Sequence, residues 1–511
     1  MSDTTRPIIN PATGETVAFE KRVSAEDLAR LVALARAAQV EWARRGLRER
    51  GAVAARAARL IAERAEELSA LVSAVTGKPR VESLSTEVLP AALACRYYPR
   101  LARRVLEPRR IPASTLLFAN KRSRLVREPW GVIGIISPWN YPLGIPTHEV
   151  AQSLIAGNAV VLKVATQSQP VGEALVALFR DAGLPRDLLA LALMPGVEAG
   201  PAFVASGIDK LLFTGSTEVG RELAARASSR LLPLSLELGG NDAMLVLADA
   251  DLDRAAAGAV WAGLSNAGQS CGGVERIYVE EGAYAPFVER LKDEAARLGP
   301  AEIGPLTTAE QRAKVAAQLA EAEAAGAAVW MPPGGRSDGL FHPVAIVEKA
   351  PESVAVMADE TFGPVLAVSA VADADEAVRR ANLGILGLTA SVWSRDRRRA
   401  RAIAGRLQAG VVTINDHLMT HGMPETPWGG YKQSSLGRCH GELGFHEVTQ
   451  VKVVVDDLLH RAPRAFWWPP YDERLFRGLL GALDLLFARS PVRWVRGLVR
   501  LTRAFARSLF G

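Results

Sequence analysis

The sequence predicts an α/β fold that is built on parallel sheets and divided into at least two domains. One observation supports the fold class and another supports the number of domains. From Gly131 onward, short apolar runs alternate with stretches of helical periodicity, as expected for parallel strands joined by crossover helices. The apolar runs lie at 132–136, 159–164, 190–194 and 210–213, with helical stretches at 147–156, 170–182 and 218–226. The length of 511 residues also exceeds one typical domain, so at least two domains are expected.

A largely helical region precedes this alternating pattern. Residues 1–20 are expected to be extended, with a turn at 10–14. Ser24 and Asp27 have the spacing of a capping box, which predicts that a helix starts here and runs to Arg45. Apolar residues at every third or fourth position, and then alternation, predict helices over 48–75 and 82–106 and a strand-like segment over 108–130.

The second α/β unit is expected between residues 240 and 444. It contains a mixture of apolar runs and helical stretches like that of the first unit. The predicted elements are a strand at 276–279, helices at 284–298 and 308–325, and strands at 389–394 and 411–414. After this unit, residues 445–456 form an alternating, strand-like stretch.

The composition is that of an ordinary globular protein, with 49% hydrophobic and 23% charged residues. Three cysteines, Cys95, Cys271 and Cys439, are too few for a disulfide framework and lack metal-ligand spacing, so no metal site is predicted. A reducing cytoplasm suits such a chain. The first residues lack the apolar core of a signal peptide, and no apolar run is long enough to span a bilayer.

The positive charge is concentrated at one end of the chain. The net charge is +6, whereas residues 461–511 alone contain ten Arg, no Lys and three acidic residues, so the remainder is close to neutral. A basic patch can indicate nucleic-acid binding, but here no binding motif accompanies it. We therefore expect no nucleic-acid partner.

A candidate nucleophile lies among small residues. Cys271 is flanked by Gly268, Gly272 and Gly273, which leave the sulfur uncrowded and let backbone approach a ligand. A cysteine buried only for packing more commonly has branched apolar neighbours. The flanks therefore predict a loop or turn that presents the thiol to a cavity, as a reactive cysteine requires.

Two further side chains complete a set suited to acyl chemistry. Glu237 lies in an apolar run before two glycines, and burial there would raise its pKa and make it a usable general base. Asn140, in the stiff turn Ser137-Pro-Trp-Asn-Tyr-Pro142, offers an amide N–H to an oxyanion. With Cys271, they provide the nucleophile, base and oxyanion donor of covalent catalysis.

A second group of motifs suggests a nucleotide site. Thr214-Gly-Ser-Thr217 forms a turn into a helix, whose free N–H groups favour a phosphate, although the chain has no G-x-G-x-x-G. Lys163 ends a buried-looking strand, where it either binds a ribose or extends toward solvent. Glu360, in Glu360-Thr-Phe-Gly-Pro-Val365, is a further carboxylate, next to an aromatic residue and a turn.

These motifs resemble the aldehyde dehydrogenase superfamily in residue type and in order, over roughly residues 5–455. The resemblance rests on S-P-W-N-Y-P, on G-N-A-V-V-L-K ending at Lys163, on F-T-G-S-T-E-V-G, L-E-L-G-G, G-Q-S-C and E-T-F-G-P-V, and on P-W-G-G-Y-K-Q-S-S-L-G-R at 427–438. It implies a Rossmann-like NAD(P)-binding domain, an α/β catalytic domain and a β-arm for oligomerisation. The implied ranges are 1–106 and 128–239 for cofactor binding, 240–444 for catalysis, 107–127 and 445–458 for the arm, and 459–511 for a basic tail.

The resemblance also implies a reaction and an assembly. Cys271 attacks an aldehyde, Asn140 and the Cys271 backbone N–H hold the oxyanion, NAD(P)+ accepts the hydride, and water activated by Glu237 releases the carboxylic acid. A homodimer or homotetramer is expected. Cofactor contacts are implied for Trp139, Lys163, Thr166, Gly215, Ser216, Leu238, Glu360 and Phe362.

The chain departs from the family pattern at three positions. NAD-preferring members often carry Glu where this chain has Thr166, so NADP is possible and the preference between NAD and NADP stays open. The frequent second glutamate of the T-E-V-K motif is Gln450 here, which weakens the case for the usual deacylation route. The usual Lys after L-E-L-G-G is Asn241, and the sequence offers no functional account of it.

The substrate is expected to be a hydrophobic aldehyde, of medium or long chain or aromatic. Trp261, Leu264 and Tyr141 would line an apolar mouth, and Arg276 begins a strand and looks structural. The loop that carries His417, Met419 and His421 is near the substrate in the family. A small polar aldehyde such as succinic semialdehyde, coenzyme A as the acyl acceptor, and an idle binding protein remain as alternatives.

The tail predicts two amphipathic helices. Leu475–Phe487 is apolar with helical spacing, and Ser490-Pro491 fits the start of a second helix. Basic residues then recur on one face of this helix, with Trp494 and other apolar residues largely elsewhere, at Arg493, Arg496, Arg500, Arg503 and Arg507, and at Val495, Leu498, Leu501, Phe505 and Leu509. This pattern suits an anionic membrane surface, such as the inner face of a membrane. Two alternatives remain for the tail: packing on a partner subunit, and a lid over the substrate tunnel.

Overall fold

The computed structural model describes residues 6–299 and 301–510, with side chains described up to residue 506 in the last helix. Within that range the chain forms two compact units. The first runs up to Leu106 and from Pro129 to Gln450, and the second comprises Glu107–Glu128 and the chain from Val451 onward. The predicted positions of the Arg507 and Leu509 side chains, and the extended start at residues 1–5, lie outside the described residues.

Helices and strands alternate through most of the chain. The helices are α1 Ala25–Arg44, α2 Leu47–Glu63, α3 Ala65–Thr76, α4 Arg80–Ser83, α5 Leu89–Leu106, α6 Gly144–Ala156, α7 Gln169–Asp181, α8 Gly196–Ala205, α9 Thr217–Ser228, α10 Leu252–Leu264, α11 Glu281–Ala296, α12 Ala309–Ala324, α13 Ala355–Ala358, α14 Ala374–Ala381, α15 Arg397–Ala404, α16 Gly441–Glu447, α17 Glu473–Phe487 and α18 Pro491–Phe510. The strands are β1 Pro7–Ile9, β2 Thr16–Phe19, β3 Arg109–Ile111, β4 Lys121–Pro129, β5 Val132–Ile136, β6 Ala159–Lys163, β7 Leu189–Leu191, β8 Lys210–Thr214, β9 Leu234–Glu237, β10 Asp242–Val246, β11 Val274–Glu280, β12 Ala328–Trp330, β13 Ala345–Glu348, β14 Val365–Val371, β15 Leu386–Gly387, β16 Thr389–Trp393, β17 Val411–Ile414, β18 Tyr431–Lys432, β19 Ser435–Leu436 and β20 Thr449–Asp457.

The predicted α/β class is confirmed, and the capping box at Ser24 is present at the start of α1. Three predicted elements differ from the structure. The strand-like segment predicted over 108–130 is divided into β3 and β4, with a short 3-10 helix at Leu116–Phe118 between them. The helix predicted over 48–75 is divided at Arg64, which leaves helical geometry (φ −102°, ψ 19°) while its guanidinium bonds Asp181. The strand predicted over 445–456 begins only at Thr449, because the preceding residues belong to α16, which buries Phe445 in the core.

The first unit contains a six-stranded sheet in the order β19-β9-β8-β5-β6-β7. Strands β5 to β9 run parallel, and β19 is antiparallel to β9. Helices α1 to α9 pack around this sheet, and the residues of β5 and β6 are completely buried. Chain order reverses on either side of β5, so a crevice for a ligand is expected at the carboxyl ends of these strands.

A seven-stranded sheet forms the other half of the first unit, in the order β12-β13-β14-β11-β10-β16-β17. All its neighbours are parallel except β12 and β13. Its two faces carry separate apolar clusters, because helices cover both sides. Strand β11 begins three residues after Cys271, so this sheet sets the position of the thiol.

The second unit contains a three-stranded sheet, β20-β4-β3, and the hairpin of α17 and α18. The two helices approach closely through small residues, since Gly478 faces Ala504 and Gly481 faces Gly497. Between them the buried carboxylate of Asp484 is paired with Arg493 and Arg500. Among the described residues, no helix is both long and apolar enough to cross a lipid bilayer.

A buried ion pair holds the turn that carries Asn140. A π-helical segment, Leu84–Val88, joins α4 to α5 and places Glu87 inside the protein. Lys78 Nζ donates to Glu87 Oε1 and to the Asn140 carbonyl oxygen, each at 2.7 Å, and neither Lys78 nor Glu87 has side-chain exposure. Glu87 Oε2 accepts from the backbone N–H groups of Leu143 and Gly144 at the start of α6. The pair therefore connects the helical region to the end of β5.

Substitution of Lys78 by Met is expected to lower the free energy of unfolding by about 3–5 kcal/mol. The methionine would leave the Glu87 carboxylate buried without a cationic partner. Denaturant unfolding followed by circular dichroism would measure the loss.

The matched control is Lys21→Met, which removes an ion pair to Glu173 whose side chains are 66% and 42% exposed. Solvent screens such a pair, so a loss of at most about 1 kcal/mol is expected. Similar losses in the two variants would contradict a special role for the buried pair.

Candidate active site

Cys271 lies in a tight turn immediately before β11, as the flanking glycines predict. Its carbonyl oxygen approaches Gly240 so closely that a β-carbon there would collide with it, and a β-carbon on Gly272 would press against the Trp428 ring. Burial raises the pKa of the Cys271 thiol, and the nearby carboxyl groups of Glu360, Asp242 and Glu237 raise it further. The thiol therefore needs a base before it can act as a nucleophile.

Glu237 is the last residue of β9, and 5% of its surface is exposed. Neither of its carboxyl oxygens has a hydrogen-bond partner. Burial raises the pKa of Glu237 well above its usual value, and the nearby Arg438 guanidinium opposes the increase. A buried carboxyl group with free oxygens is a suitable proton acceptor for a thiol or a water molecule.

The Asn140 amide is held in a network of buried polar groups. Its Nδ2 donates to the Gln269 backbone carbonyl oxygen at 3.0 Å. The backbone carbonyl oxygen of Asn140 accepts from Asn266 Nδ2 at 3.1 Å and from Lys78 Nζ. Gln269 and Asn266 belong to the loop that leads to Cys271. The network connects the amide to the thiol loop and leaves one N–H of Nδ2 for an oxyanion.

A cavity of about 470 Å³, a volume that includes space open to solvent, lies against Cys271. Most of its walls are apolar or aromatic, from Pro90, Tyr141, Trp261, Leu418, Met419 and Trp428. None of the described residues that line it is Arg or Lys. Its shape and walls suit the apolar portion of a ligand.

Two residues expected at this mouth lie elsewhere. Leu264 packs in the apolar cluster between α10 and the seven-stranded sheet, because its position on α10 faces the sheet. His417 is 1% exposed and its Nε2 is 2.9 Å from the Thr389 hydroxyl. His421 and Met419, by contrast, line the cavity as expected.

The predicted cofactor residues gather at the carboxyl ends of parallel strands. Lys163 ends β6, Thr166 begins the turn that follows, and Gly215 and Ser216 follow β8. Leu238 follows β9. Ser216 is the N-cap of α9 and accepts from the Val219 N–H. Burial lowers the pKa of Lys163 to about 8.

A second set of predicted residues lies on the loop before β14. Glu360 Oε1 accepts from the Gly240 N–H at 3.0 Å, and the Trp139 and Phe362 rings meet edge to face with centroids 5.6 Å apart. The structure adds Glu275, whose buried carboxylate accepts from the Thr361 and Phe362 N–H groups. Its strand also contains Arg276 and Glu280, so no specific signal in the sequence indicated this role. These positions fit NAD(P), with α9 and its N-terminal N–H groups suited to a pyrophosphate.

The three departures from the family pattern have structural settings. Asn241 Nδ2 donates to the Met357 and Asp359 carbonyl oxygens and thereby fixes the loop before Glu360. Arg276 donates to the Asn241 carbonyl oxygen, which agrees with the structural role expected for it. Gln450 is exposed and donates to the Pro129 carbonyl oxygen at 3.4 Å. Thr166 leaves the strand end beside Lys163 without a carboxylate at that position.

Among the residues that the structure describes, no three His, Cys, Asp or Glu side chains are arranged to hold a metal ion. Cys95, Cys271 and Cys439 are all free thiols.

Comparison with known proteins identifies the family. The aldehyde dehydrogenase family model matches residues 1–454. A 4,4'-diapolycopene aldehyde oxidase from Methylomonas sp. is 37% identical over 424 residues, covering 82% of this chain and 79% of that protein. A putative succinate-semialdehyde dehydrogenase [NADP(+)] from Mycolicibacterium smegmatis is 37% identical over 459 residues, covering 88% of each.

Among solved structures, an NAD-dependent aldehyde dehydrogenase from Sinorhizobium meliloti is similar with a TM-score of 0.86 and 33% identity. The match covers 91% of this chain and 93% of that one. The thiol loop, the buried carboxyl group at the end of β9 and the strand-end cofactor crevice thus occur in a chain that matches this family over most of its length. The chain belongs to the aldehyde dehydrogenase family.

Proposed function

We propose that this NAD(P)-dependent aldehyde dehydrogenase oxidises an apolar aldehyde of medium or long chain, or an aromatic one, to its carboxylic acid. The observation that carries the proposal is the apolar cavity of about 470 Å³ with Cys271 in its wall. The cofactor, NAD or NADP, supplies the hydride acceptor when bound at the strand ends. Lys163, Thr166, Gly215, Ser216 and Leu238 are its proposed contacts on the six-stranded sheet.

The residues of the chain carry the remaining chemistry. Glu237 takes the proton of the Cys271 thiol, and the sulfur forms a bond with the aldehyde carbon. Asn140 Nδ2 and the Cys271 backbone N–H donate to the resulting oxyanion. After oxidation leaves a thioester, Glu237 takes a proton from water, whose oxygen bonds the acyl carbon as the carbon–sulfur bond breaks. Glu360, Phe362 and Trp139 are assigned to positioning the nicotinamide side of the cofactor.

The walls of the cavity favour an apolar substrate over succinic semialdehyde. A substrate carboxylate would lose its hydration on entry, and a buried charge needs a cationic partner to compensate. The described lining supplies no Arg or Lys. One relative bears the name succinate-semialdehyde dehydrogenase, so the small polar aldehyde remains the second candidate. Transfer to coenzyme A is disfavoured because Glu237 supplies a base for water.

We also propose a role for each other part of the chain. We assign residues 1–106 and 128–239 to cofactor binding, 240–444 to catalysis, and 107–127 with 445–458 to an arm that pairs subunits into a homodimer or homotetramer. Strand β20 is at the edge of its sheet and exposes Val451, Val453 and Val455, each by more than half. An exposed apolar edge strand is a ready surface for another copy of the chain.

The substrate class is tested by NAD(P)H production with each cofactor, using straight-chain aldehydes from acetaldehyde to hexadecanal, benzaldehyde and succinic semialdehyde. While added methylenes fill the cavity, kcat/KM is expected to rise by about fourfold for each, because burial of one methylene contributes about 0.8 kcal/mol. A maximum at succinic semialdehyde would contradict the apolar class.

The controls are Cys271→Ser and Glu237→Gln, which are expected to reduce kcat by at least about a hundredfold. Cys95→Ala, at a buried thiol in the core of the first unit, should keep its activity. Loss of activity in that variant without loss of folded protein would argue against Cys271 as the nucleophile.

We further propose peripheral contact of the tail, residues 459–511, with an anionic membrane surface, such as the inner face of a membrane. The larger apolar residues of α17 and α18 point away from the small-residue contact between the helices and are 38–75% exposed, at Phe476, Leu479, Leu480, Leu483, Leu486, Phe487, Val492, Trp494, Val495, Leu498 and Val499. Arginines recur on another face of α18. An apolar face beside a basic one suits acyl chains and anionic headgroups together.

Vesicle flotation tests this contact, with phosphatidylcholine vesicles with or without phosphatidylglycerol. The chain should float with the anionic vesicles and less so at high salt, and Leu483→Glu/Leu498→Glu should stay in the bottom fraction. Leu34→Glu, at an exposed position of α1, is the matched control. Absence of flotation, or loss of oligomers in the double variant, would instead assign the hairpin to subunit packing.

A further inference from the structure

A second buried carboxyl group lies close to Cys271 and Glu237. Glu149, on α6, is 5% exposed. It lines a cavity of about 340 Å³ that Glu237 and Cys271 also line. The polar groups around it come from different elements, since Thr214 ends β8 and Glu237 ends β9. Two carboxyl groups and the proposed nucleophile therefore face one enclosed space.

The hydrogen bonds of Glu149 do not explain its burial. The nearby Thr214 hydroxyl lowers the pKa of Glu149 in part, and Glu149 Oε2 has no hydrogen-bond partner. Thr214 lies directly opposite Glu237 in the pairing of β8 with β9. Burial of a carboxyl group with a free oxygen costs stability, and every residue of α6 around it is buried as well. A packing role would be served better by an apolar side chain.

The reaction proposed above gives such a group a task. Each turnover removes one proton from the Cys271 thiol and one from water. The water proton can return from Glu237 to the Cys271 thiolate when the carbon–sulfur bond breaks, whereas the first thiol proton must leave the buried site. Glu237 can hold only one proton at a time. It must therefore pass on the thiol proton before it can accept the proton of the attacking water.

Gln450 cannot receive that proton. Its amide has no carboxylate form, and the residue is exposed on β20 with a bond to Pro129. It is also absent from the described lining of the cavity that holds Glu237. The acceptor must be a group that faces this cavity.

The other titratable groups facing Glu149 are poor acceptors. Burial lowers the pKa of His421 to about 4 and lowers the pKa of His440 well below its usual value, so both rings remain neutral. Burial raises the pKa of the Cys439 thiol, which keeps it protonated. Arg438 and Glu447 act on Glu237 only through their charges.

We propose that Glu149 accepts protons from Glu237 and passes them through the Thr214 hydroxyl toward solvent at the strand ends. The inference rests on the proposed hydrolytic function. In each transfer the Glu237 carboxylic acid loses a proton to the Glu149 carboxylate, directly or through a water molecule in the cavity. Glu149 then gives a proton to Thr214 as the hydroxyl releases its own to water. No oxidation state changes in these proton transfers. Glu149 is a positioning residue, because it acts on the reaction only through Glu237.

The wild-type pH profile carries the first signature. Burial raises the pKa of Glu149 to about 8. Only the ionised form accepts a proton, so kcat should rise as the pH increases through about 8. Glu149→Gln keeps the shape and one hydrogen bond but cannot accept a proton, so this variant should lose the rise.

Pre-steady-state kinetics separate relay from structure. In Glu149→Gln the first burst of NAD(P)H, formed as the thioester forms, should be retained. Steady-state kcat should fall by at least about tenfold. Mass spectrometry of acid-quenched protein should then show acylated Cys271 accumulating during turnover. Glu149→Asp should restore part of kcat and the pH dependence.

The controls make each result decisive. Gln450→Ala should leave the burst, kcat and pH profile unchanged. If Glu149→Gln keeps the wild-type burst, kcat and pH profile, the relay is overturned. An equal loss of burst and kcat would overturn it as well. If Glu149→Gln fails to fold, the test is the dependence of kcat on pH in the wild-type protein. Absence of an ionisation near pH 8 in that profile would overturn the relay. Absence of NAD(P)H formation by the wild-type chain with every aldehyde would instead overturn the proposed function itself.

Discussion

Burial of ionisable groups at the carboxyl edge of the six-stranded sheet is the constraint on which the site depends. Away from water, the pKa values of the Cys271 thiol and of the Glu237 carboxyl group both rise, because the charged forms lose hydration. The thiol then reacts only when a neighbouring group removes its proton. Chemistry in this site is therefore a matter of moving protons between a few enclosed side chains, and Glu149 belongs to the same enclosed set.

The backbone around these groups is held by polar side chains that touch no substrate. Lys78, Glu87 and Asn266 fix the turn and loop on either side of Asn140, and Glu275 fixes the loop of Phe362. Several of these loops include residues with left-handed backbone, such as Asn266 at φ 56° and Phe362 at φ 57°. Such conformations persist only where the surroundings stabilise them. Here those surroundings are hydrogen bonds to buried carboxylates and amides.

The second unit follows a different rule. In the hairpin of α17 and α18, glycine and alanine make the closest contacts between the helices, and most of the large apolar side chains remain exposed, although Leu475 is buried. The buried Asp484 pairs with Arg493 and Arg500 and holds the helices in register. A pair that places its small residues inside and its large ones outside is built to contact something further.

The sequence by itself determined the α/β class, the positions of β5, β6, β8, β11, β16 and β17, and the motifs of Cys271, Glu237 and Asn140, because hydrophobic periodicity and turn residues are local signals. It did not indicate the division of the helix at Arg64, the burial of Leu264 in the core, or the carboxyl groups of Glu87, Glu149 and Glu275. Those features depend on which side chains from distant segments meet in space. Glu149 lies 88 positions before Glu237 in the chain. Only the tertiary arrangement of α6, β8 and β9 decides that the two carboxyl groups share one cavity.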